Sequence, residues 1–204
     1  MSLPSPIILA FDTSAAFCAA AVLVGDQIVA QAEEHMAKGQ AERLIGLCQE
    51  LLQSAGLDFK NLSAVGVGIG PGNFTGIRIS ASAARGLALG LGIPAVGVSG
   101  FDALRLGTSG PCACAIAARR DQLYLEVFDG EIAQKPILVH ADELPEFKGP
   151  LVGATGQAPR HQGAVSIARL TAERYQHTPP RPAPLYLRPA DAAPARDAPP
   201  VILP

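Results

Sequence analysis

Apolar residues run together in short stretches near the start of the chain and shift to helical spacing after residue 40. Residues 7–11 read as a short apolar strand running into the polar tip Asp12-Thr13-Ser14. Residues 18–24 and 27–34 read as two further strands joined at Gly25-Asp26, a two-residue turn with glycine first. From 41 to 55, Leu44, Ile45, Cys48, Leu51, Leu52 and Ala55 form one apolar stripe, so an amphipathic helix is predicted, closed by Gly56. Val65, Val67 and Ile69 then alternate with Gly66, Gly68 and Gly70. That pattern predicts a strand with one apolar face and one face of bare backbone, which something must approach closely. Pro71-Gly72 fits a type II turn with positive φ at Gly72, and Asn73 or Thr75 can cap the helix that follows, whose apolar positions are Ile77, Ala81, Ala84, Ala88 and Leu91. A further apolar strand is expected over 93–98.

The second half carries strand patterns at 112–118 and 123–129 around Arg119-Arg120-Asp121, then a hairpin turn at Asp129-Gly130 leading into a strand over 132–139. A short strand at 151–154 and a helix over 164–175 complete it. Three units are expected: a main domain (1–105), an abbreviated second lobe (106–177) and a tail (178–204). Nine of the 18 prolines fall in that tail, so it is read as extended and partly mobile, with Leu185-Tyr186-Leu187 pinning it to the core. The order strand-strand-strand-helix-strand-helix-strand over 5–105 predicts an α/β layered domain and matches the ribonuclease H-like layout of the actin-like (ASKHA) fold.

The 204 residues are 49% hydrophobic and only 17% charged, which leaves apolar surface for sharing with a partner. A net charge of −2 and the lack of a basic run interleaved with aromatics argue against tight nucleic-acid binding by this chain alone. No basic leader opens the sequence and no apolar run reaches membrane-span length, so a cytoplasmic protein without membrane contact is expected. Cys18, Cys48, Cys112 and Cys114 form no C-x-x-C pair and read as reduced, buried thiols; the four histidines stand singly, so no metal site is expected.

A strand, a glycine turn and a helix start together raise the question of phosphate binding. Gly70, Gly72, Asn73, Thr75, Gly76 and Arg78 form the candidate anion site, yet no Gly-Lys-Ser/Thr follows the turn and no G-x-G-x-x-G register exists. Arg78 in the first helical turn opposes the helix dipole, so it calls for a carboxylate or phosphate partner. Asp12 is read as accepting amide hydrogen bonds at its strand end or pairing with Arg78. Ser80, Ala81, Ser82, Ala83, Ala84, Gly86, Ala88 and Gly90 keep the second helix small on nearly every side, so two of its faces can be packed at once.

Residues 8–14, Ala41-Glu42-Arg43-Leu44, Gly70-Pro71-Gly72-Asn73-Phe74-Thr75-Gly76-Ile77-Arg78, 93–99 and Pro184-Leu185-Tyr186-Leu187-Arg188 together resemble the bacterial TsaB (YeaZ) family of tRNA threonylcarbamoyladenosine biosynthesis. Gln40-Ala41 and Ala117-Ala118-Arg119 depart from the family's His-Ser and Asp-Ala-Arg. The resemblance implies a non-catalytic scaffold, with no catalytic residue and no cofactor of its own. It would pair with the catalytic paralogue TsaD, admit the small ATPase TsaE, and meet tRNA only through the complex. The relatives that catalyse carry a His-x-x-x-His metal pair on the first helix; here His35 has Gly39 four residues on. Asp12, Thr13 and Ser14 would then be a vestigial nucleotide site, and Leu44, Cys48, Leu51, Ile77, Ala81 and Arg85 the partner interface. An actin-fold ATPase or small-molecule kinase is the enzyme alternative. A metallopeptidase is disfavoured by the missing histidine pair, and a homodimer through the same helices is the alternative when no partner is present.

Overall fold

The computed structural model describes residues 5–187. Its first sheet runs β3-β2-β1-β4-β5, built from β1 (Ile7–Asp12), β2 (Phe17–Val24), β3 (Gln27–His35), β4 (Ala64–Gly68) and β5 (Ala95–Val98). The first three strands are mutually antiparallel, while β4 and β5 join parallel to β1. This is the ribonuclease H-like arrangement of the actin-like class, as the element order predicts. Gly25 takes φ 64 in the turn between β2 and β3, a conformation open to glycine.

Both faces of the sheet are covered, so β1 is apolar throughout rather than alternating with polar residues. Leu9, Phe11, Cys18, Ala20, Val22, Val65 and Val67 pack under α1 (Gln40–Ser54) and α2 (Phe74–Leu91). Ile8, Ala10, Ala19, Ala21 and Leu23 face the other way, against α4 (Gly163–Arg174) through Val165, Ile167, Ala168 and Leu170. The helix that approaches the bare face of β4 is this α4, which comes from the chain's second half. A Cβ on Gly66 would overlap Thr171 Oγ1 and sit 3.1 Å from Ile167 Cγ2. On Gly68 it would meet the Asp12 carboxyl carbon at 2.5 Å.

After β5 the chain forms α3 (Gly100–Arg105), not anticipated from periodicity, capped by the Ser99 hydroxyl accepting from the Asp102 amide at 3.0 Å. A second sheet follows, ordered β10-β6-β7-β8. Its strands are β6 (Cys112–Ala117), β7 (Gln122–Asp129), β8 (Ile132–Ala133) and β10 (Leu151–Gly153), with β9 (Ile137–His140) also pairing β7. The single strand expected over 132–139 is therefore two strands. Pro136, which has no amide to donate, falls in the break between them. The four cysteines are free and buried, and burial pushes the Cys18 thiol up to about 11. Among the described residues no helix is long and apolar enough to cross a membrane.

Glu126 lies on β7 opposite Cys114, and burial together with the Asp102 carboxylate pushes its acid up to about 7 from 4.5. Between those two values the folded chain holds a proton that the unfolded chain has released, so Glu126 makes stability fall as pH rises through this window. Glu126→Gln removes that dependence and stabilises the chain at pH 8 by about 1–2 kcal/mol after solvent screening. Urea unfolding of both proteins at pH 5 and pH 8 measures the difference.

Candidate functional site

The end of β1 and the glycine turn are packed backbone to backbone. A Cβ on Gly72 would overlap the Ser14 carbonyl oxygen, and one on Gly76 the Thr13 carbonyl oxygen. Hydrogen bonds fix the approach: the Asn73 amide donates to the Ser14 carbonyl at 2.6 Å, and the Thr13 hydroxyl to the Gly76 carbonyl at 2.7 Å. Asn73, not Thr75, caps α2, its side-chain oxygen accepting from the Gly76 amide at 3.0 Å. The type II turn expected at Pro71-Gly72 is not formed. Positive φ falls at Gly70, φ 90, ahead of a cis Gly70-Pro71 peptide. Gly72 is required for its closeness to Ser14, and its φ lies outside the left-handed region.

Asp12 accepts from the Ser14 amide at 2.8 Å and from the Ser14 hydroxyl at 2.9 Å. Burial nevertheless outweighs these bonds and raises its acid above the ordinary carboxylate range. Arg78 does not pair with Asp12, nor with any other carboxylate among the described residues. Its guanidinium lies 3.7 Å from the centroid of the Phe74 ring, and its Nε donates to the Tyr186 hydroxyl at 2.8 Å. Aromatic faces supply the negative potential that a cation in the first helical turn requires.

Between the two sheets lies a cleft of about 780 Å³, lined by Asp12, Ser14 and Phe74 on one side and Ile116, Arg119 and Tyr124 on the other. His161 also borders it, its pKa lowered by burial and by the charges of Arg169 and Arg160. Among the described residues no three histidine, cysteine or carboxylate side chains gather where a metal ion could be held.

The two helices over the first sheet form a second candidate surface. Of the residues assigned to it from sequence, Leu44, Cys48, Ile77 and Ala81 are 3% exposed or less and serve this chain's own core. Leu51 is half-buried, and Arg85 faces outward. Beyond its first turns, the outward face of α2 consists of Ser82, Arg85, Gly86, Leu89 and Gly90, with Leu89 85% exposed; α1 adds Ile45, 40% exposed. A Cβ on Gly86 or Gly90 would meet nothing within 4 Å. Nothing in the described structure requires either glycine. Arg43 of the Ala41-Glu42-Arg43-Leu44 stretch clips α1 to the edge of the sheet, bonding Glu34 on β3 at 2.7 Å and Glu50 at 2.6 Å. Both carboxylates hold its guanidinium well above its ordinary value.

A family profile described as "TsaD: tRNA N6-adenosine threonylcarbamoyltransferase" matches residues 27–143. An uncharacterized protein of Mycobacterium tuberculosis is 31% identical over 185 residues, covering 85% of this chain and 84% of the relative. The tRNA threonylcarbamoyladenosine biosynthesis protein TsaB of Escherichia coli is 31% identical over 161 residues, covering 71% and 69%. The solved structure of YeaZ from Pseudomonas aeruginosa superposes with a TM-score of 0.68 at 26% identity, over 89% of this chain and all of that one. Sheet order, glycine turn and interlobe cleft together define a protein of the actin-like class. Within that class, the chain belongs to the TsaB (YeaZ) family.

Proposed function

We propose that this chain takes part in threonylcarbamoyladenosine biosynthesis in tRNA as a subunit without catalytic chemistry of its own. Its partner is the catalytic paralogue TsaD, and the assembled pair admits the ATPase TsaE. Family membership supports the pathway; the outward face of α2 carries the pairing. Gly86 and Gly90 flank an almost fully exposed Leu89, and each glycine inside a helix costs about 1 kcal/mol relative to alanine. Such a face lets a second helix approach closely and covers Leu89 when it does. The residues that meet the partner are Ile45, Ser82, Arg85, Gly86, Leu89 and Gly90, together with the exposed part of Leu51. Without a partner, a second copy of the chain can cover the same face. The complex works in the cytoplasm and meets tRNA through its other subunits, consistent with this chain's net charge of −2.

The experiment is tRNA modification by the paralogue and the remaining pathway proteins, with and without this chain. Threonylcarbamoyladenosine formation is expected to fall to background when the chain is omitted. Full formation without it overturns the subunit role. The cleft favours a second reading, a nucleotide-using enzyme, since Asp12 lines it beside the glycine turn. Tight Mg-ATP binding in a titration of the isolated chain would favour that reading; no phosphate-cradling lysine follows the turn.

A further inference from the structure

The segment after α4 lines the cleft and touches both lobes. Pro182 is buried against β5, its Cα 3.3 Å from where a Cβ on Gly97 would stand. The Leu185 amide donates to the Ile69 carbonyl at 2.8 Å. Leu185 and Leu187 pack with Phe101, Tyr124 and Phe128 on the second sheet's side. Tyr186, between them, packs instead on the start of α2. Its ring stacks on Phe74 with centroids 4.8 Å apart, and its hydroxyl accepts from Arg78. A segment of six residues thus binds β5, the glycine turn, the start of α2 and the second lobe.

We infer that residues 182–187 form a strap that holds the two lobes closed over the cleft, with Tyr186 as its latch. Pro182 is buried and Leu185 and Leu187 are packed into the lobe cluster, whereas Tyr186 is 42% exposed and held by one stack, one hydrogen bond and a cation–π contact with Arg78 at 5.8 Å. It is the anchor that opens first. Its two partners, Phe74 and Arg78, both belong to the start of α2, so strap and helix are joined at one point.

Hydrogen exchange on the full chain tests this with Tyr186→Ala and Tyr186→Phe. In Tyr186→Ala the Leu185 amide is expected to exchange roughly tenfold to a hundredfold faster, the combined loss of stack, cation–π contact and charged hydrogen bond. The Gly100 amide, which joins α3 beside the second sheet to the Gly70 carbonyl of the glycine turn at 2.8 Å, should speed up with it. Amides of β1 and β2 should keep the parent's rates. Tyr186→Phe keeps the stack and loses the acceptor for Arg78, so it should fall between. Unchanged Leu185 exchange in Tyr186→Ala overturns the latch. Leu185 accelerating without Gly100 overturns the hold on the lobes. Equal acceleration in β1 and β2 also overturns it, because Tyr186 would then stabilise the whole fold.

Discussion

Gly76→Ala lowers the melting temperature by roughly 6–12 °C, the shift expected in a chain of this size for about 3 kcal/mol of overpacking. The methyl group would overlap the Thr13 carbonyl oxygen, which is backbone and has no rotamer to yield. Relief requires the first turn of α2 to move away from the end of β1. That movement breaks the bond from the Thr13 hydroxyl to the Gly76 carbonyl and the bond from the Asn73 amide to the Ser14 carbonyl. Gly72→Ala meets the Ser14 carbonyl in the same way and should be comparably destabilising. Differential scanning calorimetry of both variants against the parent measures the effect. A loss below about 1 kcal/mol would show that the turn is not held against β1 as tightly as its geometry implies.

Those glycines are legible in the sequence as a motif, but their reason is not. Pro71-Gly72 reads naturally as a type II turn, whereas the structure requires Gly72 and Gly76 for what lies against them, a long-range fact that local turn chemistry cannot supply. The bare face of β4 was predictable from Gly66 and Gly68. That α4 fills it was not, because more than 100 residues separate Gly66 from Ile167 and Thr171. Hairpins with glycine were readable, as at Gly25 and Gly130, φ 64 and φ 61. The turn between β6 and β7 places Arg120 and Asp121 at φ 59 and φ 55, positions where Asn-Gly is the usual signal, so its geometry carried no sequence mark. Helical periodicity found the stripe Leu44, Cys48, Leu51 and Leu52 without telling whether it faces the chain's own sheet or a partner. The sheet takes Leu44, Cys48 and Leu52. The outward signal was the other oddity of α2, the glycines within its last two turns. Tyr186 and Phe74 stand too far apart in sequence for their stack with Arg78 to be read from spacing.

The same substitution that damages the chain at Gly76 strengthens it on the outer face of α2. Gly86→Ala combined with Gly90→Ala should raise the melting temperature by roughly 4–8 °C, since each alanine contributes about 1 kcal/mol of helix propensity and its methyl meets no atom within 4 Å. A partner helix seated between those glycines would meet both methyls, so affinity for the paralogue should fall roughly tenfold or more. Leu89→Arg gives the complementary result. At 85% exposure the arginine is tolerated by the folded monomer, while a charge placed where an apolar anchor was covered should weaken pairing roughly 30-fold or more.

The most direct measurement is therefore the melting temperature and the dissociation constant for the paralogue, determined together for the parent and the Gly86→Ala/Gly90→Ala chain. A docking face at Gly86, Leu89 and Gly90 predicts opposite signs: a higher melting temperature with weaker binding. A stabilised chain that binds the paralogue as tightly as the parent would contradict that face as the site of pairing.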